Sequence, residues 1–172
     1  EQDQVNLQYS QFITRTKFSG NRICQLIHGN LDGLAKGEDV DDKIVIQRFF
    51  GMAGAEIKSY CGDREKFLGR YHGYGNPQGV INGELAGTLN YNENGCGALT
   101  AVLTLAPGET KTIAFILGMK DDAEAESILA CYQDPQKTCA EDMEKLADYW
   151  HGKLSRFQVK TPSKEFNTMV NT

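Results

Sequence analysis

The chain has 172 residues, of which 40% are hydrophobic and 24% charged, so it holds enough apolar material for the core of one domain or slightly more. Its formal net charge is -5, and no cluster of lysine and arginine stands out, so nucleic acid is not an expected partner. No apolar run approaches the roughly 18 residues that span a bilayer, so a membrane is not expected either.

Short alternating apolar runs, broken by glycine and asparagine, fill the chain up to about Leu117 and predict β-strands. Three early strands are predicted within residues 7–18 (LQYSQFITRTKF), 21–28 (NRICQLIH) and 42–54 (DKIVIQRFFGMAG). Two later runs, Leu99–Leu105 and Thr110–Leu117, predict a hairpin around a type II turn at Pro107 and Gly108. Because no helix interrupts these strands, we expect antiparallel sheets that pack as a sandwich.

Two loops in this region have unusual compositions. Residues 70–79 (RYHGYGNPQG) combine basic and aromatic side chains with glycine, but a phosphate-binding loop needs a strand before it and a helix after it. We expect this stretch to lie between strands, with no helix behind it. Residues 89–99 (LNYNENGCGAL) predict a strand that enters a tight turn with positive φ at Asn94-Gly95. Their asparagine and tyrosine also suit a sugar site, although an ordered turn explains them more simply.

The pattern becomes helical from Asp121. The first helix (DDAEAESILACYQD) starts with acids, which favour a helix N-terminus, and should stop before Pro135. The segment Thr138–Glu141 (TCAE) predicts a capping box for the next helix. That helix carries an apolar stripe at helical spacing, which we expect to be buried: Met143, Leu146, Ala147, Trp150 and Leu154.

A last helix is expected to start with Thr161 as its N-cap and Pro162 as its first residue. It reaches Thr172 without a C-terminal cap, and the strand pattern at the other end has no lead-in. We therefore expect the chain to be part of a longer protein.

Motifs for catalysis or metal binding are scarce. The three histidines, His28, His72 and His151, are far apart and match no metal-ligand spacing. The five cysteines contain no C-x-x-C pair, which indicates reduced thiols in a cytoplasmic protein without a zinc site. The acidic pairs Asp41-Asp42 and Asp121-Asp122 are explained by a solvated loop and by helix capping. Composition and spacing thus predict a β-sandwich with trailing helices and no visible active site.

The run from Arg64 to Gly118 contains the segments FLGRYHGYGNP, NGE, LNYNENGCGAL and LAPGETKTIAFILG. Together with DQVNLQYSQFITRT before it and TPSKEFNTMVN after it, these resemble, in the same order, the N-terminal domain of the cellobiose, cellodextrin and chitobiose phosphorylases. These enzymes form glycoside hydrolase family ninety-four. The resemblance covers essentially the whole chain.

The resemblance implies a mainly β fold: an antiparallel β-super-sandwich of the galactose-mutarotase-like type, followed by linker helices. Residues 1–118 would be the C-terminal part of the sandwich domain. Residues 119–160 would be the helical linker, and residues 161–172 the start of the first helix of an (α/α)6 barrel.

The implied activity is that of a glycosyltransferase-type phosphorylase. Inorganic phosphate, as co-substrate, attacks a β-glycosidic bond with inversion and gives an α-sugar 1-phosphate, while an aspartic acid protonates the leaving oxygen. That acid and the phosphate site would belong to the barrel, so no catalytic residue is expected in this chain, which alone should be inactive. The resemblance implies no cofactor and no metal.

The family is commonly dimeric, with the sandwich near the active-site mouth of the partner. We therefore expect a homodimer with an oligosaccharide substrate, and name Arg48, Arg70, His72 and Tyr74 as candidate substrate-binding residues. In the family, arginine is more frequent than histidine at the position of His72, so a charge there would be weaker or dependent on pH. The loop aromatics would pack the sandwich against the linker or the barrel.

Two alternatives remain open. The chain could be a carbohydrate-binding sandwich module without catalysis, or the phosphorylase-like region of a cyclic β-1,2-glucan synthase. The sequence that follows Thr172 would distinguish the first, and long membrane-associated flanking sequence the second.

Overall fold

The computed structural model describes residues 14–28, 44–91 and 93–171. The strands of this part are β1 (Thr14–Ser19), β2 (Arg22–His28), β3 (Ile44–Ala53), β4 (Ile57–Asp63), β5 (Gly95–Ala101) and β6 (Ala114–Gly118). Its helices are α1 (Arg64–Leu68), α2 (Gln78–Ile81), α3 (Asp122–Ala130), α4 (Pro135–Leu154) and α5 (Lys164–Asn171). The described residues up to Pro135 form one compact unit and those from Gln136 a second. The predicted strands at residues 21–28 and 42–54 are confirmed as β2 and β3, whereas residues 7–13 of the first predicted strand lie outside the described part.

The first unit is built on a four-stranded antiparallel sheet with the order β1-β2-β3-β6. Helix α3 covers one face of this sheet, where part of β2 and β3 is apolar. Cys24, Leu26 and Phe49 of the sheet form a buried cluster with Ala125 and Leu129 of the helix. Burial of this cluster holds the helix on the sheet.

The other face carries the two-stranded sheet of β4 and β5. The ring of Phe18 in β1 stacks on Tyr60 of β4 with 3.9 Å between the ring centroids. The hydroxyl of Thr16 donates a hydrogen bond to the carbonyl of Gly62 at 3.3 Å. Gly97 of β5 lies so close to Phe50 that an added Cβ would be 3.0 Å from the ring. Two packed antiparallel sheets confirm the expected sandwich.

The predicted hairpin of Leu99–Leu105 and Thr110–Leu117 is wrong. Strand β5 pairs with β4 in the small sheet, and β6 pairs with β3 in the large one. The turn between them is nevertheless present, since Gly108 has φ 82° and the amide of Glu109 donates to the carbonyl of Ala106 at 2.9 Å. The chain therefore uses this turn while it crosses from one sheet to the other.

The tight turn predicted at Asn94-Gly95 is also wrong, because neither residue has a positive φ and Gly95 begins β5. The side chain of Asn90, which is only 2% exposed, orders this loop instead. Its Oδ1 accepts from the amide of Glu93 at 2.9 Å, and its Nδ2 donates to the carbonyl of Thr14 at 3.2 Å. A buried amide with internal partners on both atoms stabilises the loop.

Helix α3 begins as predicted, with the Asp121 side chain accepting from the amide of Glu124 at 2.8 Å, and it stops before Pro135. The capping box at Thr138–Glu141 is wrong, since α4 already begins at Pro135. Proline is well suited to a first helical position because it has no amide hydrogen to leave unpaired. Helix α5 begins at Lys164, with Ser163 rather than Thr161 accepting from the first turn.

The apolar stripe of α4 is not buried within the described residues, against expectation. Met143 is 66% exposed, Trp150 52% and Leu154 54%. None of the described helices is long and apolar enough to cross a membrane.

Candidate functional site

The stretch at residues 70–79 follows a short helix, α1, and its last two residues begin another, α2, so it does not lie between strands. The expectation that no helix follows it is therefore wrong, although α2 is a single turn of four residues. Gly69, with φ 81°, redirects the chain after α1, and a Cβ on it would lie 2.6 Å from the side chain of Gln78. This close approach brings the two ends of the stretch together.

Hydrogen bonds within the stretch give it a defined shape. The Nδ1 of His72 lies 2.9 Å from the carbonyl oxygen of Asn76, so Nδ1 is the donor. The amide of Asn76 donates to the carbonyl of Gly73 at 3.1 Å. The aromatic rings of the stretch are exposed: Tyr71 is 97% exposed and has φ 67°, and Tyr74 is 68% exposed. The expected packing of these rings is not seen among the described residues.

The structure brings three of the four candidate substrate-binding residues to one place. Arg70 and His72 line an open depression of about 540 Å³ beside α1. Tyr74 is next to it, because its hydroxyl oxygen accepts a hydrogen bond from Nη1 of Arg64 at 3.5 Å.

Arg48 lies elsewhere, on β3, where it lines a cavity of about 220 Å³ between the two sheets. This volume is below the range of about 300–1,000 Å³ usual for small-molecule sites. The thiol of Cys96 also lines the cavity, and burial raises its pKa to about 12, with nearby Cys61 and Asp63 adding to the effect. The thiol is therefore protonated at neutral pH and is no nucleophile.

A charged cluster that the sequence did not reveal joins α3 to the large sheet. The carboxylate of Asp122 accepts from Nζ of Lys17 at 2.7 Å and from Nε of Arg22 at 2.8 Å. Burial alone would raise the pKa of Asp122, but hydrogen bonds and charge from Lys17 and Arg22 outweigh it and lower the pKa to about 2. An acid held ionised in this way cannot protonate a leaving oxygen, so the cluster is structural.

No group of three or more histidine, cysteine, aspartate or glutamate side chains in the described ranges is placed to hold a metal ion. The described part of the chain thus presents a β-sandwich with an ordered surface loop.

The family description "Glycosyl hydrolase 94, supersandwich domain" matches residues 1–135. The chain belongs to this family, and the resemblance noted in the sequence is confirmed.

Similar proteins include an N,N'-diacetylchitobiose phosphorylase of Vibrio furnissii, 33% identical over 123 residues, which are 72% of this chain and 15% of that enzyme. The enzyme of the same name from Vibrio proteolyticus is 34% identical over 113 residues, 66% of this chain and 14% of the enzyme. A cyclic beta-(1,2)-glucan synthase of Rhizobium meliloti is 31% identical over 125 residues, 72% of this chain and 4% of that protein. The chain thus spans about a seventh of the length of the phosphorylases.

Proposed function

We propose that this chain is the non-catalytic sandwich and linker part of an inverting phosphorylase that cleaves β-linked gluco-oligosaccharides with inorganic phosphate. The product would be an α-sugar 1-phosphate. The observation that carries the proposal is the family match over residues 1–135, joined by phosphorylases among the similar proteins. The division into sandwich (1–118), linker (119–160) and barrel start (161–172) remains part of this proposal.

The general acid and the phosphate site would lie in the portion of the enzyme outside this chain. Phosphate carries its own negative charge, so the enzyme needs basic and hydrogen-bonding groups around it and no cofactor. The location of the acid outside the chain is supported by Asp122, which is committed to Lys17 and Arg22. We place the enzyme in the cytoplasm, since none of the five cysteines, all within the described ranges, forms a disulfide.

Full-length protein incubated with cellobiose, longer cello-oligosaccharides or N,N'-diacetylchitobiose, each with phosphate, should release a sugar 1-phosphate from at least one of them. The measurement is enzyme-coupled detection of the sugar 1-phosphate. Absence of phosphate-dependent release from every β-linked gluco-oligosaccharide would contradict the proposal.

In the proposed homodimer, the loop of residues 70–79 would line the acceptor side of the partner's active site. The exposed ring of Tyr74 and the side chains of Arg70 and His72 support this role, because rings and hydrogen-bonding groups at a surface suit a sugar. Arg48 lines a separate cavity, so a role in substrate binding would need a second contact with the substrate, away from this loop.

Replacing Tyr74 with alanine should raise KM for the disaccharide about three- to tenfold, the effect of losing one aromatic contact. The value of kcat should change little, because the ring would contact the acceptor and not the reacting atoms. Steady-state kinetics of Tyr74→Ala measure this. Tyr149→Ala is the matched control, since Tyr149 is also exposed, at 55%, and lies on α4 outside this loop. Equal KM values for the two variants would remove Tyr74 from the acceptor site.

A second candidate is the phosphorylase-like region of a cyclic β-1,2-glucan synthase, which the similarity to the Rhizobium meliloti protein favours. The length of the full protein distinguishes the two. The matched residues are 15% of the phosphorylase of Vibrio furnissii but 4% of the synthase.

A further inference from the structure

The depression beside α1 is rich in unpaired positive charge. Its lining includes Arg64, Lys66 and Arg70, against the one carboxylate of Glu65. Such a cluster is unexpected in a chain whose net charge is -5. Local excess of cations in a concave surface raises the concentration of anions there.

These cations are not used by the fold. In the part of the chain that the structure describes, no carboxylate lies within ion-pair distance of Lys66 or Arg70. Nε of Arg64 is buried and has no hydrogen-bond partner there, while its Nη1 reaches only the Tyr74 hydroxyl, at 3.5 Å. The protein therefore satisfies the guanidinium group of Arg64 only in part.

The N-terminus of α1 does not supply hydrogen-bond donors to this depression. The backbone amides of Glu65 and Lys66 are bonded to Oδ1 of Asp63 at 2.9 and 3.1 Å, so they are not available to a ligand. The available donors are therefore the guanidinium groups of Arg64 and Arg70 and the ammonium group of Lys66. Guanidinium groups match the geometry of phosphate oxygens, and an ammonium group adds a point charge.

We propose that this depression binds an oxyanion of the phosphate type, either inorganic phosphate or the phosphate group of a sugar phosphate. The site is separate from the phosphate site proposed for the catalytic part of the enzyme. It shares Arg70 with the acceptor role proposed above, but binding is read without turnover, so failure of one proposal is distinguishable from failure of the other.

The test is acetylation of lysines in the full-length protein with an N-hydroxysuccinimide ester, followed site by site with mass spectrometry. Inorganic phosphate, α-glucose 1-phosphate and neutral glucose are compared with sodium chloride at equal ionic strength. Phosphate should slow acetylation of Lys66 several-fold, by about fivefold at saturation. Lys58 is the matched control, because it is exposed on β4 and its rate should not change.

Arg70→Gln should raise the phosphate concentration needed for half-protection of Lys66 by about tenfold, since it removes a charged donor. Lys58→Gln should leave that concentration unchanged. Protection by phosphate alone identifies the free anion as the ligand, and stronger protection by α-glucose 1-phosphate identifies the sugar phosphate. Equal rates in phosphate and chloride, equal protection of Lys58, or protection by glucose alone would each overturn the proposal.

Discussion

Replacing Phe49 with alanine should lower the free energy of unfolding of the sandwich by about 3–5 kcal/mol, the usual cost of deleting a buried ring. Phe49 is 1% exposed and lies in the cluster that joins the large sheet to α3. Its ring fits over Gly118 of β6, where an added Cβ would be 2.5 Å from the ring. Urea denaturation followed by circular dichroism measures the loss.

Phe115→Ala is the matched control, because Phe115 is 57% exposed and stacks on Phe50 with 5.8 Å between the centroids. The Phe115→Ala variant should lose about 1 kcal/mol of the free energy of unfolding. If the two variants lost equal stability, the cluster around Phe49 would not be the core of the unit.

Replacing Asp122 with asparagine should cost about 2–3 kcal/mol at neutral pH. The change leaves Arg22, whose side chain is 5% exposed, without its nearest carboxylate and weakens the contact of α3 with β1 and β2. Glu126 is 3.5 Å from Arg22 and 74% exposed, so it replaces little of the lost interaction. The urea midpoint at pH 7 reports this loss.

The same variant should show a defined pH dependence. The pKa of Asp122 is lowered from 3.8 to about 2, so its contribution is complete above about pH 4 and is lost as the pH falls through about 2. The stability difference between Asp122→Asn and the parent protein should therefore be largest at neutral pH and shrink between pH 4 and 2. Glu124→Gln is the control: Glu124 forms an exposed pair with Lys120, and its replacement should cost a few tenths of a kcal/mol. A stability difference between Asp122→Asn and the parent protein that stays constant from pH 7 to 2 would contradict the ion pair.

The local sequence patterns predicted the individual strands and helices better than they predicted which strands pair with each other. The short apolar runs of β2 and β3 identify both strands, because strands covered on both faces are apolar on both. The partners of β5 and β6 could not be read in this way. Sequence proximity favours a hairpin, whereas packing places the two strands in different sheets. The start of α4 was predicted wrongly because an S/T-x-x-E pattern inside a helix looks the same in sequence as one at its N-terminus.

The candidate site was only partly predictable for a related reason. Arg70 and His72 are two residues apart, so their shared depression follows from the chain itself. The cavity of Arg48 depends on its register opposite Gln25 and on the approach of β5. The partners of Asp122 are still harder to predict from the sequence, because Lys17 and Arg22 are 105 and 100 residues away. Pairings at such distances appear only after the sheets are assembled.

The most direct test of the account is the initial rate of disaccharide cleavage by the full-length protein as a function of phosphate concentration, with the product identified by nuclear magnetic resonance. The account predicts a saturable rate that falls to zero without phosphate, and an α-sugar 1-phosphate as the first product. Cleavage at the same rate without phosphate, or release of free sugars alone, would contradict it.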